Sequence, residues 1–236
     1  MKIGKFFGVG IGPGCADLVT VKGANLIKNA DIVYVPTKNK IENSVAYNTI
    51  KPYLESAEIK PAVFSMSYEK EILNQYRNVI INNIKLDIEN GKIVVFVTLG
   101  DPMLYSTYVY ILEGLKKLIE NFYYETIPGI TSFSAMAAKS DVPLVEEEEV
   151  ITIYPLTHFK KDVFDNIYES SDSIVLMKIP KKSSEIIKYI DSKKFSKIVH
   201  MKNICFENEK INYNLSCDDL NSDEVKKYLS IILLKK

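Results

Sequence analysis

Short apolar runs alternate with longer amphipathic segments along the first part of the chain. The runs at 6–11, 32–35 and 93–97 are rich in Val, Ile and Phe and have the length of buried strands, and a further strand is predicted at 123–127. The other segments repeat apolar residues at helical spacing and predict helices at 18–29, 43–54, 68–90, 108–121 and 132–139. Alternation of this kind requires crossover connections, so it predicts an α/β domain with a mainly parallel sheet.

The second part of the chain predicts a smaller α/β domain. Apolar runs at 150–154, 173–177, 198–201 and 229–234 indicate strands, and one helix is predicted at 182–191. Because helices are fewer than strands here, we expect a mixed sheet. The acidic stretch at 146–149 is typical of a solvated linker and places the expected boundary near Leu144. The expected domains are therefore residues 1–144 and 145–236.

Charge and cysteine content argue against several classes of protein. The chain has 30 basic and 30 acidic residues, whereas a general nucleic-acid binder usually carries a basic excess. None of the three cysteines belongs to a CxxC pair, and His158 and His200 do not stand at zinc-ligand spacing from them, so we expect no structural metal. The N-terminal segment resembles neither a membrane span nor a signal peptide. These features predict a cytoplasmic protein that binds neither nucleic acid nor membrane.

Three glycine-bearing loops follow predicted strands: GIGPG from Gly10, LGDP from Leu99 and IPGITS from Ile127. Parallel strands end at one edge of a sheet, where ligands bind, so we expect the loops to converge on one ligand. A dinucleotide-binding fingerprint does not fit, because Pro13 or Cys15 occupies the third glycine position. The sequence also lacks GxxxxGK[ST], which argues against a nucleoside triphosphatase.

The second loop carries residue types that suit a binding site. Gly100 permits close approach of the backbone to a ligand. Asp101 has two interpretations: it caps the following turn, or it accepts a hydrogen bond from a ribose or amino group. The flat face of Tyr105 and the hydroxyls of Ser106 and Thr107 favour a flat, partly cationic ligand over a phosphate chain.

The third loop opens a helix of small residues. Thr131 or Ser132 is expected to cap this helix. A cap and a ligand contact are compatible, because the loop lies at the predicted ligand-binding edge of the sheet.

Five stretches in a fixed order span nearly the whole chain. They are GVGIGPGCADLVTVKG, the VPT after the second strand, TLGDPMLYSTY, ETIPGITSFSAMAAKSDVPL and the VLMK strand at Val175. Together they resemble the tetrapyrrole (corrin and porphyrin) methylase family. The resemblance implies a homodimeric methyltransferase that binds S-adenosylmethionine in a cleft between two α/β domains. The resemblance also implies that the Pro13 loop faces that cleft. The cofactor-binding residues that it implies are Pro13, Gly100, Asp101, Met103, Leu104, Ser106, Thr107, Thr131, Ser132, Met177, Cys205 and Ser230.

The residues that follow the GDP motif refine the expected reaction. LGDPMLYSTYVYI is similar to the corresponding segment of precorrin-2 C20-methyltransferases. The resemblance implies C20-methylation of precorrin-2 or cobalt-precorrin-2 in corrin (cobalamin) biosynthesis, and it leaves open whether the substrate carries cobalt. One alternative is a methyltransferase of the same fold that acts on another tetrapyrrole position or on a protein side chain. The other is a module that binds S-adenosylmethionine without turnover.

Two cysteines depart from the family pattern. Cys15 stands where relatives typically carry an acid, which puts any role of that acid in doubt. Cys205 stands where relatives often carry glycine, so we expect a backbone contact to the cofactor there.

Tyr105 is the candidate catalytic residue, through a hydrogen bond that orients the substrate or assists proton loss. The substrate carries several carboxylates, and basic residues on loops or strand ends are candidates for binding them. For each of these residues a solvated surface position is the alternative. The candidates are Lys38, Lys40, His158, Lys160, Lys161 and Lys178.

Overall fold

The computed structural model describes residues 3–38, 40–65, 69–180, 184–213 and 229–236. The helices are α1 (Val21–Lys28), α2 (Val45–Ile50), α3 (Lys70–Glu89), α4 (Tyr108–Leu118), α5 (Ser132–Ser140), α6 (Lys161–Ser170) and α7 (Ser184–Asp191). The strands are β1 (Lys5–Gly10), β2 (Ile32–Thr37), β3 (Glu58–Val63), β4 (Ile93–Thr98), β5 (Tyr123–Ile127), β6 (Ile151–Pro155), β7 (Ser173–Met177), β8 (Lys197–Lys202), β9 (Lys210–Tyr213) and β10 (Ser230–Lys235). The chain forms two compact units, Met1–Thr131 and Ser132–Lys236.

The first unit contains a five-stranded sheet in the order β3-β2-β4-β1-β5, and all of its strand pairs are parallel. Helices cover both faces. The face that carries Phe6 and Phe96 packs against α3 and α4, and the face that carries Val95 and Val97 packs against α1 and α2. Strands covered on both faces read as continuous apolar runs, which is why the sequence predicts the inner strands β1, β2 and β4 and the parallel arrangement of the sheet.

The second unit contains a mixed sheet in the order β6-β7-β10-β8-β9, in which only β6 and β7 are a parallel pair. The expected mixed sheet is therefore confirmed. Phe164 of α6 and Ile187 of α7 cover one face, and Met136 of α5 covers the other. Because α5 packs on this sheet, the two units divide between Thr131 and Ser132, earlier than the boundary near Leu144 that the sequence predicts.

Among the helices and strands given above, β3, α6 and β9 are not predicted from the sequence. β3 contains Pro61, which an edge strand tolerates but which argues against a strand in the sequence pattern. β9 is a short strand at the sheet edge, so few of its residues are apolar and buried. In α6 only Phe164 is fully buried, so this helix also has a weak apolar pattern. The predicted starts of the helices at residues 68 and 182 lie outside the described residues.

Two tyrosines are buried in the first unit with hydroxyl partners. The hydroxyl of Tyr34 donates to Asp87 Oδ2 at 2.6 Å, and Lys60 Nζ lies 2.8 Å from Asp87 Oδ1. The hydroxyl of Tyr108 lies 2.6 Å from Thr126 Oγ1. Burial raises the pKa of both tyrosines, and the hydrogen bond to Asp87 raises the pKa of Tyr34 further.

We expect the stability of the first unit to fall as pH rises above about 10. The unfolded tyrosines lose their protons near that pH, whereas the folded ones retain them, so the unfolded state is favoured increasingly. Urea titrations between about pH 9 and pH 11 will measure the slope of the unfolding free energy against pH. Tyr34→Phe and Tyr108→Phe should each make the slope shallower, and a slope unchanged in both variants would contradict this assignment.

Candidate functional site

The three glycine-bearing loops follow three adjacent strands of the first sheet. β1 lies between β4 and β5, and all three strands run in the same direction, so the loops leave from one edge. Backbone hydrogen bonds continue to join the first two loops after β1 and β4 end. Ile11 N donates to Thr98 O at 3.0 Å, and Gly100 N donates to Gly12 O at 2.7 Å. The predicted convergence of the loops at one edge is therefore present in the fold.

Glycine is required where these loops touch one another. A Cβ at Gly129 would lie 2.2 Å from the carbonyl oxygen of Gly100 and 2.7 Å from the carbonyl carbon of Gly10. A Cβ at Gly10 would lie 2.6 Å from the amide nitrogen of Gly129. These neighbours are backbone atoms, so no rotation of a side chain would relieve the overlap. At Gly10 and Gly129, glycine serves the packing of loop against loop.

Asp101 joins the second loop to the third. Its Oδ1 accepts a hydrogen bond from Met103 N at 2.8 Å, which closes a local turn. Its Oδ2 accepts a hydrogen bond from Gly129 N at 3.0 Å. The turn-capping interpretation therefore describes this structure. A carboxylate offers about four acceptor positions, so hydrogen-bonding capacity for a ligand remains.

The outer side of the second loop is open. Gly100 has a φ of 66°, and a Cβ there would meet nothing within 4 Å. Met103 is 59% exposed and Tyr105 is 41% exposed. Tyr105 also has a φ of 50°, in the left-handed region that residues other than glycine seldom adopt. Strained backbone tends to occur at functional sites, so this loop is the strongest candidate in the first unit.

The residues after Tyr105 attach the loop to α4. Ser106 Oγ accepts a hydrogen bond from Tyr108 N at 3.1 Å and lies 3.1 Å from Thr98 Oγ1, so it holds the start of α4 against the end of β4. Thr107 is the N-cap residue of α4 but makes no capping bond through its side chain. Leu104 is partly buried in the same loop.

Tyr108 is a buried residue that supports the second loop, and it was not assigned to the site from the sequence. Its ring fills the space beside Gly8 of β1, where a Cβ would lie 2.0 Å from Tyr108 Cε2. Since its hydroxyl also reaches Thr126 of β5, Tyr108 ties the first turn of α4 to two strands. The sequence shows a glycine in a strand and a tyrosine after a loop, but it does not show that they meet.

The other predicted residues of the first and third loops lie at the same edge. Pro13 is buried between Gly12 and Gly14, which both have positive φ, at 75° and 134°. Thr131 is the last residue of the first unit, and Ser132 is the first residue of α5. Their roles as helix cap or ligand contact stay predictions.

Three predicted residues of the second unit lie at one edge of its sheet. Met177 ends β7, Cys205 follows β8, and Ser230 begins β10, which is antiparallel to both strands. Ser230 Oγ lies 2.6 Å from Nε2 of the buried His200, whose Nδ1 lies 3.3 Å from Asn212 Nδ2. His200 was missed as a partner of Ser230 because the register of β8 against β10 cannot be read from the sequence.

Cys205 adopts a conformation that favours glycine. Its φ is 73°, which gives a physical reason for the glycine that the family resemblance led us to expect at this position. Its backbone N–H donates to Glu209 Oε2 at 2.6 Å, and the same carboxylate oxygen pairs with Lys139 at 2.9 Å. The expected backbone contact between Cys205 and the cofactor stays a prediction.

In the part of the chain that the structure describes, no three His, Cys, Asp or Glu side chains group as metal ligands. None of its helices combines the length and apolar composition needed to cross a bilayer.

The sequence matches a known family over most of its length. The model of the family described as Tetrapyrrole (Corrin/Porphyrin) Methylases matches residues 5–215. The chain belongs to the tetrapyrrole methylases. This membership confirms the resemblance carried by the glycine-bearing loops.

Three curated relatives of this methylase have names that specify methylation at C(20). A "probable cobalt-precorrin-2 C(20)-methyltransferase" of Methanocaldococcus jannaschii is 34% identical over 98% of this chain and 96% of the relative. A "cobalt-precorrin-2 C(20)-methyltransferase" of Salmonella typhimurium is 33% identical over 75% of this chain and 73% of the relative. A "precorrin-2 C(20)-methyltransferase" of a Sinorhizobium species is 26% identical over 75% of this chain and 74% of the relative.

Solved structures of other methylases share the fold. A cobalt precorrin-4 methyltransferase has a TM-score of 0.74 at 23% identity, over 98% of this methylase and 94% of that chain. A uroporphyrin-III C-methyltransferase of Thermus thermophilus, complexed with S-adenosylhomocysteine, has a TM-score of 0.69 at 15% identity, over 99% of this methylase and 98% of that chain. At these sequence identities, the structural similarity establishes the fold alone.

Proposed function

We propose that this methylase transfers a methyl group from S-adenosylmethionine to C20 of cobalt-precorrin-2 or precorrin-2 in cobalamin biosynthesis. The observation that carries the proposal is the 34% identity to the Methanocaldococcus protein over 98% of this chain. The two relatives at 33–34% identity are both named for the cobalt form, whereas the one named for precorrin-2 is 26% identical. The similarities therefore favour cobalt-precorrin-2. The family resemblance also supports a cytoplasmic homodimer as the proposed location and assembly.

The edge of the first sheet fits the proposed cofactor. The backbone at Gly100 faces open space, and the exposed Met103 and Tyr105 offer apolar surface beside it. When bound, S-adenosylmethionine supplies a methyl group that its sulfonium already activates. The proposed binding residues of the first unit are Pro13, Gly100, Asp101, Met103, Leu104, Ser106, Thr107 and Thr131, and those of the second unit are Ser132, Met177, Cys205 and Ser230.

The contribution of the protein is alignment and exclusion of water. Holding two reactants in reactive geometry is worth roughly 7–11 kcal/mol of the barrier. The backbone contacts of Gly10 and Gly129 and the two bonds of Asp101 hold the loops in one arrangement before a ligand arrives. Pre-organised loops bind with little loss of conformational entropy, so the binding energy remains available for alignment.

Replacing Tyr105 by phenylalanine tests its proposed catalytic role. The ring remains while the hydroxyl is lost, so we expect kcat to fall by roughly 100-fold if the hydroxyl takes part in proton transfer. Affinity for S-adenosylhomocysteine should stay within about twofold, since stacking surface is retained. Tyr110→Phe, at an exposed tyrosine of α4, is the matched control. An unchanged kcat in Tyr105→Phe would remove the residue from the mechanism.

Product analysis tests the proposed reaction directly. The protein is incubated with donor carrying a ¹³C-labelled methyl group and with precorrin-2, with and without cobalt. Mass spectrometry should show one added methyl group, and NMR should place the label at C20, with faster turnover of the cobalt form. Label at another carbon, or on a protein side chain, would establish the corresponding alternative. Tight cofactor binding without transfer to any acceptor would favour a non-catalytic binding module.

A further inference from the structure

The first loop depends on other parts of the first unit for its conformation. Three of its five residues, 10–14, are glycines, and glycine loses more conformational freedom on folding than any other residue. The chain continues into a short 3₁₀ turn, Ala16–Leu18, and none of the residues 14–18 is buried. This segment therefore has no side chain of its own in the core to fix it.

Hydroxyl groups from α2 and from the turn after it reach this segment. The hydroxyl of Tyr53, in the short 3₁₀ turn that follows α2, donates to the carbonyl oxygen of Ala16 at 2.8 Å. Thr49 Oγ1, in α2, lies 3.1 Å from the carbonyl oxygen of Gly14 and 2.9 Å from that of Val45. A threonine hydroxyl has one hydrogen to donate, so Thr49 divides it between two acceptors and Tyr53 makes the firmer contact.

The helix that carries these hydroxyls is fixed to the sheet. Ala46 and Ile50 of α2 are buried in the core, and the ring of Tyr53 packs against the same cluster. At the start of α2, Ser44 Oγ donates to the carbonyl oxygen of Pro36 in β2 at 2.7 Å. Because α2 is anchored in this way, its bonds to the first loop restrain that loop relative to the sheet.

The first loop is therefore held from two sides. Gly12 O accepts a hydrogen bond from Gly100 N on the side of the second loop, and the two hydroxyls bond the carbonyls of Gly14 and Ala16 on the side of α2. Pro13 lies between these attachments. A loop that is fixed before a ligand arrives loses little conformational entropy on binding.

We propose that Tyr53, assisted by Thr49, is a positioning residue for cofactor binding, because its hydroxyl holds the first loop in the conformation in which Pro13 contacts S-adenosylmethionine. The proposal rests on the proposed function, in which Pro13 is a cofactor-binding residue. Tyr53 acts through the loop rather than through contact with the ligand. Its bond to Ala16 joins residues 37 positions apart, so the sequence pattern does not reveal it.

Tyr53→Phe removes the hydroxyl and keeps the ring. Tyr47→Phe is the matched control, because Tyr47 is a half-buried tyrosine of α2 that packs against the same core cluster. Calorimetry on the full-length variants measures affinity for S-adenosylhomocysteine. Loss of one neutral hydrogen bond should weaken binding by roughly 3- to 10-fold in Tyr53→Phe, whereas Tyr47→Phe should bind within about twofold of the unmodified protein.

Two further measurements separate positioning of the loop from a general loss of stability. Hydrogen exchange should become faster at the amides of 14–18 in Tyr53→Phe, while the amides of β1 and β4 exchange at unchanged rates. In methyl-transfer assays, KM for S-adenosylmethionine should rise by the same factor as the loss of affinity, and kcat should stay within about twofold.

Unchanged affinity for S-adenosylhomocysteine in Tyr53→Phe would overturn the role of Tyr53 and leave the proposed function standing. Weaker binding with unchanged exchange at 14–18 would also overturn it, because the loss would not pass through the loop. If Tyr53→Phe melts early, Thr49→Val, which removes the second hydroxyl, is judged by the same criteria, with Thr49→Ser as its control. Failure of the unmodified protein to bind S-adenosylhomocysteine would overturn the proposed function, and the role of Tyr53 with it.

Discussion

Replacing Gly129 by alanine is expected to lower the unfolding free energy of the first unit by about 3 kcal/mol and to abolish cofactor binding. The added Cβ would lie 2.2 Å from the carbonyl oxygen of Gly100 and 2.7 Å from the backbone of Gly10, so the third loop must move away from the other two. Urea denaturation measures the stability, and calorimetry with S-adenosylhomocysteine measures the binding.

Gly100→Ala is the control for the effect of Gly129→Ala on stability. Gly100 has a φ of 66°, but its Cβ would meet open space, so we expect a loss of only about 1 kcal/mol from backbone strain. Equal stability losses in Gly129→Ala and Gly100→Ala would show that contact between the loops is not what requires glycine at Gly129.

Replacing Asp101 by asparagine is expected to lower stability by about 2 kcal/mol and cofactor affinity by at least about tenfold. The two carboxylate oxygens accept hydrogen bonds from Met103 N and Gly129 N. An amide of the same shape keeps one acceptor and places an NH₂ group against the other N–H. The second and third loops then lose either the turn or the link between them.

Asp17→Asn is the matched control, because Asp17 is an exposed acid of the same unit. Its stability and its affinity for S-adenosylhomocysteine should match those of the unmodified protein. If Asp101→Asn behaves like this control, the link between Asp101 and Gly129 does not organise the site.

The inner strands β1, β2 and β4 of the first sheet were predictable because helices cover both faces of the sheet. Burial on both faces leaves an unbroken apolar run such as Val94–Val97, which is visible in the sequence alone. β3 was not predictable in this way, because it lies at the sheet edge, carries polar residues and contains Pro61. Packing of neighbouring elements decides whether such a segment becomes a strand.

The role of Asp101 illustrates what the sequence left open at the site. A carboxylate after a strand-ending glycine is compatible with a turn cap or a ligand contact, and local pattern does not choose between them. The bond from Gly129 N to Asp101 Oδ2 joins residues on two different loops, and it depends on the order of β4, β1 and β5 in the sheet. The contact between His200 and Ser230 likewise depends on the register of β8 against β10.

The sequence by itself determined the α/β class, the family and the three glycine-bearing loops, because periodicity and motifs are local properties of the chain. Only the tertiary structure decided that Gly10, Gly100 and Gly129 touch, that Tyr108 fills the space beside Gly8, and that His200 contacts Ser230. The physical reason is that these contacts join residues distant in the chain. Their geometry is set by strand order and register, which side-chain packing selects and local periodicity does not encode.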